Sequence, residues 1–319
     1  MLYPWGDGRR YNSSSRYFRE LFGGAMQKIS VDGGFTCPNR DGRISTGGCA
    51  FCNNGAFTPS YCSRQKSIRE QVEEGKRFYA QRFPDRKRYL VYFQPFSNTY
   101  ADLETLKRRY EQALEVEGVE GLVIGTRPDA VDERKLDYLA QLAETTHITV
   151  EYGIESTEDE TLRRVNRGHD FSAAEKAVAM TAERGIPTAG HFILGLPGES
   201  REQILAGCQK INALKLTSVK FHQLQIFRDT PMAEEYAQNP EAFSFWSPEE
   251  YVDLAVEILL RLRPDLVVER FVSSVPRRFQ ARTGWNLRSK DQLLLLLEKR
   301  LEELEVHQGK FFYTFAGKM

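Results

Sequence analysis

The chain has 319 residues with 44 basic and 44 acidic side chains, a formal net charge of zero, 41% hydrophobic and 28% charged content. That hydrophobic share suffices for a core and excludes general disorder, and the length suits two domains of about 150 residues or one α/β domain of roughly 200–250 residues with appendages. The longest apolar run, 293–297, falls far short of the roughly 18 residues needed to span a bilayer, and no secretory signal is visible, so the five cysteines point to a reducing cytoplasm, where clustered cysteines mean metal or catalysis more often than disulfides.

In chain order, six runs rich in Val, Ile, Tyr and Phe read as strands: 27–31, 89–93, 122–124, 148–152, 188–194 and 218–226. Helical patterns lie between them. In 102–117, Leu103, Leu106, Tyr110, Ala113 and Leu114 fall on one helix face. Segments 131–144, 172–184 and 199–214 read similarly, and Gly185 followed by Pro187 stops the second of these. Strand and helix in alternation argue for a parallel sheet with right-handed crossovers, whose functional loops lie at the strands' C-terminal ends. The tail predicts helices over 247–263 and 289–305 with a strand over 266–272 between them. The division expected is a basic N-terminal extension (1–24), a core (25–245) and a C-terminal helical extension packed on it (246–319).

The chemistry concentrates in the loop after the first strand. Cys37, Cys49 and Cys52 form a C-x11-C-x2-C pattern among five glycines, flexible enough to wrap a compact object. Thiolates suit zinc or iron–sulfur clusters. Three on a four-iron cube would leave one iron open, whereas zinc wants four ligands, and Cys62 offers a fourth. Cys208 falls on an apolar helix stripe between Ile204 and Ile211 and reads as a small core hydrophobe.

Several motifs in fixed order carry a resemblance. The three-Cys loop with Phe51 before its last Cys resembles the cluster loop of the radical S-adenosylmethionine (SAM) superfamily, and its long first gap resembles the Elongator catalytic subunit and its bacterial relatives. Thr126-Arg-Pro-Asp129 follows the third strand as in that family. Residues 151–156 and 164–169 resemble its fourth-strand segment and that of the oxygen-independent coproporphyrinogen oxidases, and Gly195-Leu-Pro-Gly198 resembles their turn after the fifth strand. As a whole the chain is similar to the YhcC-type bacterial radical SAM proteins.

The resemblance implies a partial (βα)6 TIM-like barrel. Its cofactors would be a [4Fe–4S] cluster on Cys37, Cys49 and Cys52 and SAM on the open iron. By motif position, Gln94 and Ser97 stand where relatives bind the SAM amine. Glu155 replaces a SAM-contacting Gln, Arg167 aligns with the carboxylate-binding Arg, His191 replaces a SAM-contacting Asp, and Gly195 would flank the adenine. Read from the residues alone, Glu151 and Glu155 are equally an ordinary solvated pair, His191 a core histidine and Gly195 a turn glycine. A low-potential donor such as a flavodoxin or ferredoxin is implied by the reduction.

The charge is uneven. Residues 1–90 hold 16 basic against 8 acidic side chains, 91–260 hold 16 against 29, and 261–319 hold 12 against 7. The ends interleave arginines with aromatics at 9–12, 16–19, 86–89 and 277–282, a pattern that contacts phosphates and stacks bases. With the Elongator-like core, this points to an enzyme modifying RNA, above all tRNA. The alternatives are a radical SAM enzyme acting on a small metabolite and a zinc-stabilised nucleic-acid-binding module.

Overall fold

Seven strands, β1 (Gln27–Val31), β2 (Tyr89–Phe93), β3 (Val119–Thr126), β4 (His147–Glu155), β5 (Thr188–Leu194), β6 (Ser218–Gln223) and β7 (Val267–Arg270), pair all-parallel in sequence order in the computed structural model, which describes residues 2–282, 285 and 290–312. The sheet curls into the expected partial barrel, and the strand predicted in the tail joins it as a seventh, pairing Val219 with Val268. β3 and β4 extend beyond the predicted runs on both sides, because ladder hydrogen bonds hold Gly121, Gly125 and Glu155 in strands that side-chain propensity does not mark.

Among the described residues ten helices accompany the strands: α1 (Ser14–Phe22), α2 (Ile68–Ala80), α3 (Leu103–Leu114), α4 (Glu133–Ala143), α5 (Asp159–Arg164), α6 (Phe171–Ala182), α7 (Arg201–Ala213), α8 (Pro231–Gln238), α9 (Pro248–Arg261) and α10 (Lys290–Glu303). Residue 289, where the last helix was expected to begin, lies outside the described residues. Side-chain caps start most of them. Ser67, Ser200 and Ser247 form capping boxes with Glu70, Gln203 and Glu250, and Asp102, Asp132 and Asp170 cap α3, α4 and α6. Each such cap contributes about 0.5–2 kcal/mol.

The strands alternate sharply between two faces. Ile29, Val31, Val91, Phe93, Leu122, Ile124, Ile148 and Val150 belong to one buried apolar core that α2, α3, α4 and α6 cover. Their neighbours on the other face, Lys28, Tyr92, Gln94, Glu151, His191 and His222, are polar. The barrel is therefore greasy outside and charged inside. α1 lays Phe18 and Phe22 on the inner face against Leu90, Tyr92 and Val123.

The tail shares the main core. α10 packs on α9 through Leu293, Leu297 and Leu301, all fully buried, while Leu295 is 70% exposed. The leucine run thus docks one face of a helix. Leu297→Ala should cost about 2–5 kcal/mol and Leu295→Ala no more than about 0.5 kcal/mol, read as the difference in urea unfolding free energy.

Candidate functional site

The loop from β1 to Cys52 is built by backbone bonds. The amides of Arg40 and Cys52 donate to the carbonyls of Cys37 (2.8 Å) and Cys49 (3.0 Å), closing a turn at each cysteine. Gly48 adopts φ 78°, where a side chain would be strained and would press on the Arg40 guanidinium. The fully buried Asn39 donates its amide to the Asn166 carbonyl (2.6 Å), the Arg167 carbonyl (3.2 Å) and Cys49 Sγ (3.5 Å). In return Asn166 donates to the Gly48 carbonyl at 2.8 Å. The 164–169 motif is thus a clasp around the cysteine loop, and Gly168 (φ 76°) is required there because a Cβ would sit 2.7 Å from Asn39 Oδ1.

Cys37, Cys49 and Cys52 all line one cavity at the strands' C-terminal ends, about 1280 Å³ including its open mouth. Arg167 Nη1 lies 3.3 Å and Arg127 Nη1 4.0 Å from Cys49 Sγ. Burial and the neighbouring Cys49 push the Cys52 thiol up to about 11. Cys62 stands elsewhere, donating to the Ser30 carbonyl outside this lining, so a four-cysteine set is not assembled. Among the described residues no three His, Cys, Asp or Glu side chains converge on a single ion. Cys208 is buried on α7, as its apolar stripe predicted.

Gln94, Ser97, Glu155, Arg167 and His191 line the same cavity. Gln94 accepts from the Ser30 hydroxyl at 2.9 Å, and Ser97 Oγ is buried without a partner. Glu155 has φ 74°, unusual for a non-glycine residue, at a register shift between β4 and β5 that turns its carboxylate toward Arg167, 3.8 Å away. Burial raises Glu155 against the pull of Arg167. Gly195 stands apart: it lies outside the cavity lining, and the Trp246 ring sits 3.0 Å from where its Cβ would be, the surroundings of a turn glycine. The Thr126–Asp129 motif is explained by Arg127, 2% exposed, which pairs with Asp129 at 2.7 Å beside the cysteines.

Beneath the cysteines the barrel floor carries a charge network that the sequence reading left as a solvated pair. Glu151 is 1% exposed and is bonded by Lys28 (3.1 Å), Lys220 (2.5 Å) and His191 Nε2 (2.9 Å). Burial alone would raise Glu151, but these partners hold it well below the usual carboxylate range. Glu269 pairs with the same two lysines. His191 is pushed down to about 4 by burial and Lys220, so its imidazole is neutral and donates to Glu151. The signal was the period of two: Lys28 and Ser30, Glu151 and Gly153, Lys220 and His222 place polar groups at alternate positions of otherwise apolar parallel strands.

The donor set suits a thiolate-held cluster with a polar ligand beside it. Three thiols line one cavity, two guanidiniums stand by the most buried of them, and Ser97 Oγ and Arg167 Nε are buried without partners among the described residues.

Comparison with known proteins agrees. Residues 40–209 match the radical SAM superfamily model, and 216–303 match the radical SAM C-terminal domain. YtqA of Bacillus subtilis is 33% identical over 304 residues, covering 95% of this chain and 93% of that protein. A stretch of 86 residues is 34% identical to a tRNA uridine(34) acetyltransferase of Dehalococcoides mccartyi, covering 27% of this chain and 18% of that one. The structure of Elp3 from Methanocaldococcus infernus superposes with a TM-score of 0.63 at 15% identity, covering 91% of this chain and 67% of that one, a likeness of fold.

Burial also pushes His147 and His169 down to about 4, with Lys28 and Arg167 adding to it respectively. Below pH 6.5 the unfolded chain therefore takes up protons that the folded chain refuses, and stability falls as pH drops toward 4. Urea midpoints measured from pH 7 to 4 should fall through that window, and the fall should be shallower in His191→Gln.

Proposed function

The chain belongs to the radical SAM superfamily, and from that premise we propose that Cys37, Cys49 and Cys52 hold its [4Fe–4S] cluster in an enzyme that acts on RNA, above all tRNA. When bound, the cluster and SAM would supply radical chemistry that removes a hydrogen atom from substrate. The chain's own residues bind, orient and exclude water. Arg167 and Arg127 stand beside Cys49 Sγ, and the Arg167 guanidinium would meet the SAM carboxylate. Gln94 and Ser97 offer polar atoms to its amine, and Glu155 offers a carboxylate to ribose hydroxyls. Phe51, Ile193, Leu224 and Phe227 give the cavity apolar walls that keep water from a radical. A low-potential protein donor of the flavodoxin or ferredoxin kind completes the set.

The observation that carries the RNA reading is where the tail's basic segment lies. Ala281 and Arg228 donate to the carbonyls of Ile226 (2.8 Å) and Phe279 (2.7 Å), and Phe279 packs with Ala56 and Phe227 beside the cysteine loop. Arg277 and Arg278 are exposed next to Phe279, whose neighbour Phe227 lines the cavity. In the other basic segments several arginines are engaged in ion pairs within the chain. Arg9 pairs with Glu298, Arg16 with Glu20 and Arg88 with Glu120. The RNA-facing surface is therefore one rim rather than both termini, and the short likeness to a tRNA-modifying enzyme supports the same substrate.

Three measurements test this. Nucleoside mass spectrometry of tRNA from cells with and without the protein should show one changed nucleoside. Unaltered tRNA with a changed metabolite pool would overturn the RNA reading. Cys49→Ser should lose the brown colour and nearly all iron and acid-labile sulfide. In filter binding of bulk tRNA, Arg277→Gln with Arg278→Gln should weaken uptake and reduce the slope of log affinity against log salt by about 1.5–2.

A further inference from the structure

The floor of the cavity contains one guanidinium that the rest of the network does not use. Arg270 ends β7, where a register shift between Val219 and Lys220 of β6 lets both Glu269 and Arg270 reach the interior. Glu269 turns to the lysines, whereas Arg270 lines the cavity. Among the described residues no hydrogen bond or ion pair holds its guanidinium, and its Nε is buried with no partner. The other cations nearby are matched. Lys28 and Lys220 face Glu151 and Glu269, Arg127 faces Asp129, and Arg167 faces Glu155 and Cys49.

Two lysines against two glutamates leave the paired floor neutral, and the two histidines add nothing. Burial holds His222 well below its ordinary value, with Arg270 and His191 adding to it, and His191 is likewise uncharged. Arginine stays protonated at any pH a protein survives. The floor therefore carries one unmatched positive charge, half-buried and facing the cavity, which an anion entering that cavity would pair. A guanidinium is also a planar fork, the shape that grips a carboxylate or phosphate through two parallel bonds.

We propose that Arg270 binds an oxyanion of the substrate, so that the molecule processed carries a carboxylate or phosphate at the end inserted into the barrel. The inference rests on the enzyme reading above and deepens it by naming a group the substrate must bear. The anion is distinct from the SAM carboxylate. Arg270 acts electrostatically on Tyr92, His191, Lys220 and His222, all on the floor, whereas Arg167 stands at the cysteine loop. Gln223 and Gln225, which both donate to the Ser273 carbonyl, wall the same side of the cavity with polar groups suited to the rest of such a substituent.

The test uses the full chain with acetate, inorganic phosphate and, as a neutral counterpart, acetamide, titrated by calorimetry at low ionic strength. At least one oxyanion should bind saturably and acetamide should not. Acetate binding alone assigns a carboxylate, phosphate binding alone a phosphate. Arg270→Gln should weaken the bound anion at least tenfold, and Arg270→Lys, which keeps the charge but loses the fork, should fall between. Because Arg270→Gln removes a half-buried charge that makes no ion pair among the described residues, its thermal midpoint should be no lower than that of the parent, which separates lost binding from lost folding. Wild-type affinity in Arg270→Gln, or no uptake of either anion by the parent, overturns the proposal. A tenfold loss of SAM affinity in Arg270→Gln, by equilibrium dialysis of the cluster-loaded chain, also overturns it by giving the anion to SAM. None of these titrations contains RNA, so a failed nucleoside comparison would remove the RNA reading and leave this result standing.

Discussion

The interior of the half barrel is charged, and Glu151 is the hub on which that charge turns. A carboxylate 1% exposed to water is tolerable when its lone pairs are filled, and here Lys28 of β1, Lys220 of β6 and His191 of β5 fill them. These bonds tie the edge strand β1 and the strands β5 and β6 to the middle of the sheet. They also decide that His191 faces the cavity as a neutral group with one nitrogen committed. Losing one partner of such a set would strand a buried charge, a loss of about 3–5 kcal/mol. Replacing the whole set by apolar residues would give a filled core with no room for a reaction.

Above the floor, a second set of constraints shapes the cysteine loop. Asn39 and Asn166 exchange hydrogen bonds across the loop and the 164–169 segment, so the cysteines and Arg167 are placed by the same clasp. Glu155 stays in a left-handed conformation that costs about 1–3 kcal/mol for a non-glycine residue. Strain of this kind persists where the surroundings over-determine it, and the result is a carboxylate facing Arg167 across the cavity. The cysteines of the loop and the strained strand end line one cavity.

Much of this was legible in the chain. The alternating strands and helices and the helix stop before Gly185 are local signals, and each appears where it was expected. Four helices escaped notice for local reasons. α5 and α8 are short, six and eight residues, and α2 begins behind a Ser–Glu box in a charged stretch with little apolar periodicity. α1 is amphipathic, but none of its residues is fully buried, and its aromatics find a partner when the barrel interior receives them. Gly195 was grouped with the cavity because its motif follows a strand end, yet Trp246, 51 residues later, occupies the adjoining space.

What the sequence determined by itself was chemistry carried by spacing: three sulfurs in one loop, a parallel α/β order and a family of motifs in register. Those depend on neighbours along the chain. Whether Glu151 is solvated or buried, and that Arg270 has no ion pair among the described residues, depend on strands 120 to 240 residues apart, such as Lys28 with Glu151 and Glu269. A side chain's charge is written in the sequence. Its partners, and hence whether that charge is spent on structure or left for a ligand, are set when the sheet closes and the solvent is excluded.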